Sequence, residues 1–212
     1  MARSMDEGGA GMRALILVDI QNDFLPGGAL AVPKGDEVVP VANRLMSAFE
    51  LVVATQDWHP ADHGSFASQH PGRRVGDLIE LNGLTQILWP DHCVQHTRGA
   101  ALADELETGR ITRVFRKGMD PGIDSYSGFF DNNRRQSTGL DEFLKTHGIR
   151  QAFIAGLATE YCVKATALDA REIGFDTRIL INAVRGVELK PGDCERTLSE
   201  LSLAGVAVVD GV

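Results

Sequence analysis

Three residue types in three separated stretches could together run nucleophilic chemistry on a carbonyl. Cys162 stands in Gly156-Leu157-Ala158-Thr159-Glu160-Tyr161-Cys162-Val163, just after an apolar run at residues 152–155 and where a helical pattern begins. At a helix start the axial dipole favours a thiolate. The unpaired backbone N–H groups there can also receive the oxyanion formed when sulfur attacks a carbonyl. Asp19 follows the run at 14–18, and Lys117 follows the run at 113–115 within Phe115-Arg116-Lys117-Gly118. A carboxylate near the thiol can take its proton and return it to a leaving amine, while an ammonium holds both anions and lowers their pKa values. Taken singly each residue is ordinary: a cysteine is commonly a small buried hydrophobe, an Asp after a strand a turn residue, a Lys a solvated cation. Cys93 and Cys194 keep that plain reading.

A second group lies between residues 56 and 111. Thr55-Gln56-Asp57-Trp58-His59-Pro60 opens this connection, and Trp89-Pro90-Asp91-His92-Cys93-Val94 follows within it. Asp57 and His59, two apart, point the same way if the chain is extended. With His92 brought in by the fold, one carboxylate and two imidazoles would bind one divalent metal ion, Zn, Mn or Fe, with positions open for water and substrate. His63, His70 and His96 share the connection, and His63 could replace or supplement a ligand. The plain alternative for each histidine is a hydrogen-bonded loop anchor.

Residues with these roles must hang from a frame. Short apolar runs at 14–18, 51–54, 113–115, 152–155, 178–181 and 206–209 read as six strands buried on both faces. Helical patterns at 36–49, 140–147, 161–173 and 193–204 alternate with several of them, and Gly148, Gly174 and Gly205 supply helix stops. Strand alternating with helix predicts right-handed crossovers and an α/β fold, a three-layer α/β/α sandwich whose ligands bind beyond the carboxyl ends of the strands. The connections at 20–35 and 56–111 exceed ordinary loop length, so they should carry function or small extra elements.

Length suits a single domain over residues 12–212, preceded by a flexible tail at 1–11. The 21 Lys and Arg against 29 Asp and Glu give 21 − 29 = −8, which disfavours nucleic acid and anionic membrane as partners. No apolar run approaches the ~20 residues of a membrane span, no signal-peptide core follows Met1, and three scattered cysteines argue against disulfides, so a cytoplasmic location is the default expectation. Oligomeric state stays open, a homo-oligomer included.

Taken in order, Val18-Asp19-Ile20-Gln21-Asn22-Asp23-Phe24, residues 55–60, residues 89–94, Lys117-Gly118 and residues 156–163 resemble the nicotinamidase branch of the isochorismatase-like cysteine hydrolases. Asp124-Ser125-Tyr126-Ser127 and Arg185-Gly186-Val187 add to the match, which runs from about Met12 to the C-terminus. The resemblance implies a six-stranded parallel sheet in the order 3-2-1-4-5-6, a triad of Asp19, Lys117 and Cys162, and metal ligands Asp57, His59 and His92. It also implies a cis Leu157-Ala158 peptide, with the N–H groups of Ala158 and Cys162 turned toward the oxyanion. The substrate it implies is nicotinamide, with pyrazinamide as a second, its ring held among Phe24, Trp89, Tyr126 and Tyr161 and its ring nitrogen on or near the metal. Cys162 would form a thioester that water hydrolyses to nicotinic acid, with no organic cofactor. Glu160, where this branch usually has Asp, and Asn182-Ala183-Val184 depart from the pattern. Rival readings are a cysteine hydrolase of a ureido or carbamoyl amide, which should lack the Asp57, His59 and His92 set, and a non-catalytic binding protein of the same fold, which should lack Cys162 or Lys117.

Overall fold

The run Met12-Arg13-Ala14-Leu15-Ile16-Leu17-Val18 is rich in branched side chains that pack well on a pleated surface, and it forms the central strand, β1 (Met12–Val18). Its period of two sends Leu15 and Leu17 into one apolar cluster and Ala14, Ile16 and Val18 into another, on opposite faces. The structure is a computed structural model and describes residues 11–212, so the tail expected at 1–11 lies outside the described residues apart from Gly11. Around β1 stand β2 (Leu51–Asp57), β5 (Arg113–Lys117), β6 (Ile149–Leu157), β7 (Asp176–Arg185) and β8 (Ala207–Val209), after a separate antiparallel hairpin of β3 (Leu78–Leu81) and β4 (Leu84–Ile87).

The main sheet runs β5-β2-β1-β6-β7-β8 with all neighbours parallel. With its six strands counted in chain order this is 3-2-1-4-5-6, as expected. Helix α1 (Val38–Leu45) covers the face of Leu15 and Leu17 through Val38, Val39 and Ala42. The opposite face is covered by α2 (Leu140–Thr146), α3 (Lys164–Ile173) and α4 (Asp193–Leu203), which contribute Leu140, Leu144, Ala167, Ala170 and Leu201. Three layers result, and Gly174 ends α3 in the left-handed conformation with φ 107°.

Several elements differ in extent from the sequence expectation, and the differences concern function. Strands β2 and β5 run past their apolar cores to Asp57 and Lys117, which are register partners on neighbouring strands. Polar side chains ended the hydrophobic signal there, but the backbone ladder does not depend on side-chain polarity. Strand β7 continues to Arg185 beyond the expected 178–181, because an irregularity after Ile154 lets Gly156 and Leu157 of β6 pair with Val184 and Arg185. The helical pattern from residue 161 begins instead as a wide π turn, Thr159–Val163, before α3. The expected helix 36–49 is regular only over α1, with 3₁₀ turns at Gly35–Glu37 and Met46–Ala48. The hairpin is the small extra element that the long connection 56–111 called for.

Candidate active site

Parallel strands aim their carboxyl ends the same way, so Asp19 after β1, Asp57 ending β2, Lys117 ending β5 and Cys162 in the π turn after β6 meet above one sheet edge. Lys117 is the hub, its side chain fully buried. Its Nζ lies 2.9 Å from Asp19 Oδ2. It donates to Asp57 Oδ1 at 2.6 Å, to the Ser125 carbonyl at 2.8 Å and toward Cys162 Sγ at 3.4 Å. Asp19, in a left-handed backbone conformation with φ 49°, accepts a 2.6 Å hydrogen bond on Oδ1 from the Thr55 hydroxyl. Gln21 splices the strand ends: its amide donates to the Asp57 carbonyl and accepts from the Asp57 N–H, both at 2.8 Å.

Electrostatics here is set by burial first. Burial works to neutralise Lys117, but Asp19 and Asp57 hold it protonated, well above the ordinary lysine range. Asp57 is held well below the ordinary carboxylate range: burial opposes this, and Lys117 followed by His59 outweighs it. Burial pushes Asp19 up despite Lys117. Burial also pushes the Cys162 thiol well up, Lys117 pulls it down, and the negative charges of Asp19 and Asp57 push it up again. The favouring of a thiolate expected at this turn works against that burial. Burial thus favours the neutral thiol, beside two carboxylates and an ammonium.

Asp57, His59 and His92 converge beside this hub, their ligand atoms within 4.8 Å of one another. His59 Nδ1 bonds the Gly118 carbonyl at 2.8 Å and His92 Nδ1 bonds the Pro90 carbonyl at 2.7 Å. A carbonyl partner requires a proton on Nδ1, so both Nε2 atoms are left to face Asp57 Oδ2, at 3.6 and 4.0 Å. Burial and the neighbouring His59 press His92 down to about 4, which keeps that imidazole neutral. Two oriented nitrogen donors and an ionised carboxylate fit a divalent cation of the zinc type. His63 stands next to this set, not within it: it groups with His59 and Asp124, and its Nδ1 bonds Ser65 Oγ at 2.7 Å. His70 bonds the Gly64 carbonyl, and His96 packs on Trp58.

A cleft of about 420 Å³, open mouth included, leads to these groups. Phe24, Trp89, Tyr126 and Tyr161 line it, together with Ala158, Cys162, Asp57 and His92. Trp89 and Tyr161 meet edge to face at 4.9 Å, and Trp89 Nε1 donates to the Tyr126 hydroxyl at 3.2 Å. The slot so formed suits a flat aromatic ring. The Leu157-Ala158 peptide is cis. Sequence reasoning missed Leu30, Val32 and Val187 on the cleft wall, the Thr55 hydroxyl on Asp19 and the Ser125 carbonyl on Lys117. Thr55, two residues before Asp57 on a strand, shares its face and could have been found; a backbone carbonyl leaves no trace in side-chain pattern.

An α/β sheet carrying cysteine, aspartate and lysine at its carboxyl edge has a family match: the Isochorismatase domain fits residues 13–210, and the chain belongs to that family. Within it, the nicotinamidase of Escherichia coli K12 is 52% identical over 200 residues, covering 92% of this chain and 93% of its own. The crystal structure of the yeast nicotinamidase bound to the inhibitor nicotinaldehyde superposes with TM-score 0.89 at 34% identity, covering 94% of this chain and all of its own. The pyrazinamidase of Pyrococcus horikoshii in complex with zinc gives TM-score 0.76 at 40% identity, covering 93% and 98%.

Proposed function

We propose that this chain is a nicotinamidase, a cysteine amidohydrolase that converts nicotinamide to nicotinic acid and ammonia and also accepts pyrazinamide. One observation carries the reading: Lys117 Nζ touches Asp19, Asp57 and Cys162 together at the floor of an aromatic cleft. The aromatic walls hold the ring plane and set the carboxamide carbon over Sγ. Asp19 takes the Sγ proton, and sulfur bonds to the carbonyl carbon. The N–H groups of Ala158 and Cys162 receive the oxyanion. Asp19 returns the proton to the amide nitrogen, the C–N bond breaks, and ammonia leaves a thioester. Water then adds to the thioester carbon as Asp19 takes its proton, the C–S bond breaks, and Asp19 reprotonates the departing sulfur. Lys117 keeps its charge throughout and fixes the geometry of the other two.

Asp57, His59 and His92 would hold a divalent cation, which when bound supplies a Lewis-acidic anchor for the ring nitrogen. Support comes from the tautomer-setting carbonyls of Gly118 and Pro90 and from the zinc complex of the Pyrococcus relative. The same donor set disfavours the ureido or carbamoyl alternative, whose substrates offer no ring nitrogen. An acidic chain with free thiols, among whose described helices none is long and apolar enough to cross a membrane, suits the cytoplasm. The test is ammonia release from nicotinamide by the metal-reconstituted protein and by Cys162→Ala. Removing the nucleophile should lower turnover by at least about 10⁴-fold with folding intact; retained activity would refute the assignment.

A further inference from the structure

Glu160 stands beside the nucleophile in sequence, and the mechanism above gives it no task. It sits two residues before Cys162 in the π turn, and its carboxylate reaches across to the loop after β7. There it accepts the N–H of Val187 at 3.1 Å on Oε2 and the N–H of Glu188 at 2.7 Å on Oε1. Two successive backbone donors are thus held by one charged acceptor, the stronger kind of hydrogen bond. The packing under this bridge is tight: a Cβ on Gly186 would fall 2.5 Å from Glu160 Oε2 and closer still to Cys194 Sγ. Glu188 in turn accepts the N–H groups of Gly192 and Cys194 at 2.9 and 2.8 Å, so the loop is moored at the start of α4 as well. Val187 lines the cleft together with Leu30, Val32 and the aromatic residues.

We infer that Glu160 is a positioning residue that sets the width of the ring slot by fixing Val187 against the nucleophile turn. It touches neither substrate nor the reacting atoms; it acts through the Val187 wall. The inference rests on the reading of the cleft as the site of a pyridine carboxamide, and it locates ring recognition in part outside the aromatic side chains. Loosening the bridge should weaken ring binding more than bond breaking, because the Asp19, Lys117 and Cys162 contacts do not pass through Glu160.

The deciding variant is Glu160→Gln, which keeps shape but sets an amide N–H against one of the two backbone donors. Its KM for nicotinamide should rise about tenfold with kcat within about twofold. Introducing Val187→Ala should raise KM similarly, and in the double variant the two effects should fail to multiply, since both act on one wall. Independently of any substrate, amide hydrogen exchange at Val187 or Glu188 should quicken at least about tenfold in Glu160→Gln. Unchanged exchange at both amides, a fall in kcat with KM unmoved, or multiplicative effects in the double variant would each overturn the inference. A wild-type protein that released no ammonia would instead sink the nicotinamide reading, and the exchange measurement would still judge the role of Glu160.

Discussion

Two cysteines stand close to the same carboxylates in this molecule, and only one is placed to react. Cys93 and Cys162 are both buried, and burial pushes both thiols well above their ordinary range, with Asp57 adding to the effect in each case. Around Cys93 the polar work is done by the backbone: its N–H donates to Asp23 Oδ2 at 2.7 Å and its carbonyl accepts from His59 at 3.0 Å. Its sulfur belongs to the apolar cluster beneath α1. Cys162 has an ammonium 3.4 Å away, a carboxylate able to take its proton, and a cleft in front of it. On the proposed mechanism the difference lies in the neighbouring cation, base and access, since residue type and depth are shared.

Replacing Lys117 by Met breaks the comparison most severely, because it removes the ammonium 3.4 Å from Cys162 Sγ and leaves the carboxylates in place. Turnover should fall by about 10³-fold or more, and stability should drop by about 3–5 kcal/mol as two buried carboxylates lose their partner. Ammonia release and thermal unfolding read the two effects, and a variant keeping a tenth of wild-type turnover would undo the role given to Lys117. Replacing His59 or His92 by Ala tests the neighbouring donor set. Bound metal and activity should decline together, with affinity reduced by more than the ~10–100-fold that losing a supporting residue costs. Metal content unchanged in both variants would show the ligands to be elsewhere. The smallest effect belongs to Cys93→Ala, for which kcat and KM should stay within about twofold and stability fall by ~1 kcal/mol, as for a small buried side chain trimmed. A large loss of kcat there would erase the distinction between the two thiols.

Much of this was legible in the sequence, and the gaps have physical reasons. Apolar runs located all six strands of the sheet: the inner strands β1, β2 and β6 are buried along most of their length and leave a continuous hydrophobic signal, while the edge strands β5 and β8, largely exposed or half-buried, show it only in short stretches. The same rule cut β2 and β5 short, since it registers burial by apolar atoms and is blind to a ladder that continues through Thr55, Asp57 and Lys117. The β3 and β4 hairpin escaped because β3 alternates between exposed and half-buried residues and the one buried position of β4 is the polar Gln86, so apolar contrast is small. Its turn, Asn82-Gly83 with both φ values positive, is a strong hairpin signal that spacing arguments alone did not use. Residue types and family pattern pointed to Asp19, Lys117, Cys162, Asp57, His59 and His92, and the fold gathers these six side chains. The carbonyls of Gly118, Pro90 and Ser125, which aim two imidazoles and an ammonium, could not be read at all, because every residue has a carbonyl and only the fold decides where it points.

The division of labour between strand ends and loops has a further reach. Asp19, Asp57 and Lys117 stand at the carboxyl ends of β1, β2 and β5, whereas Leu30, Val32 and Val187 arrive on connections at the rim. A lineage built this way can reshape its rim to admit a different guest while its bond-breaking apparatus stays untouched, so that new tastes evolve without the chemistry having to be invented twice.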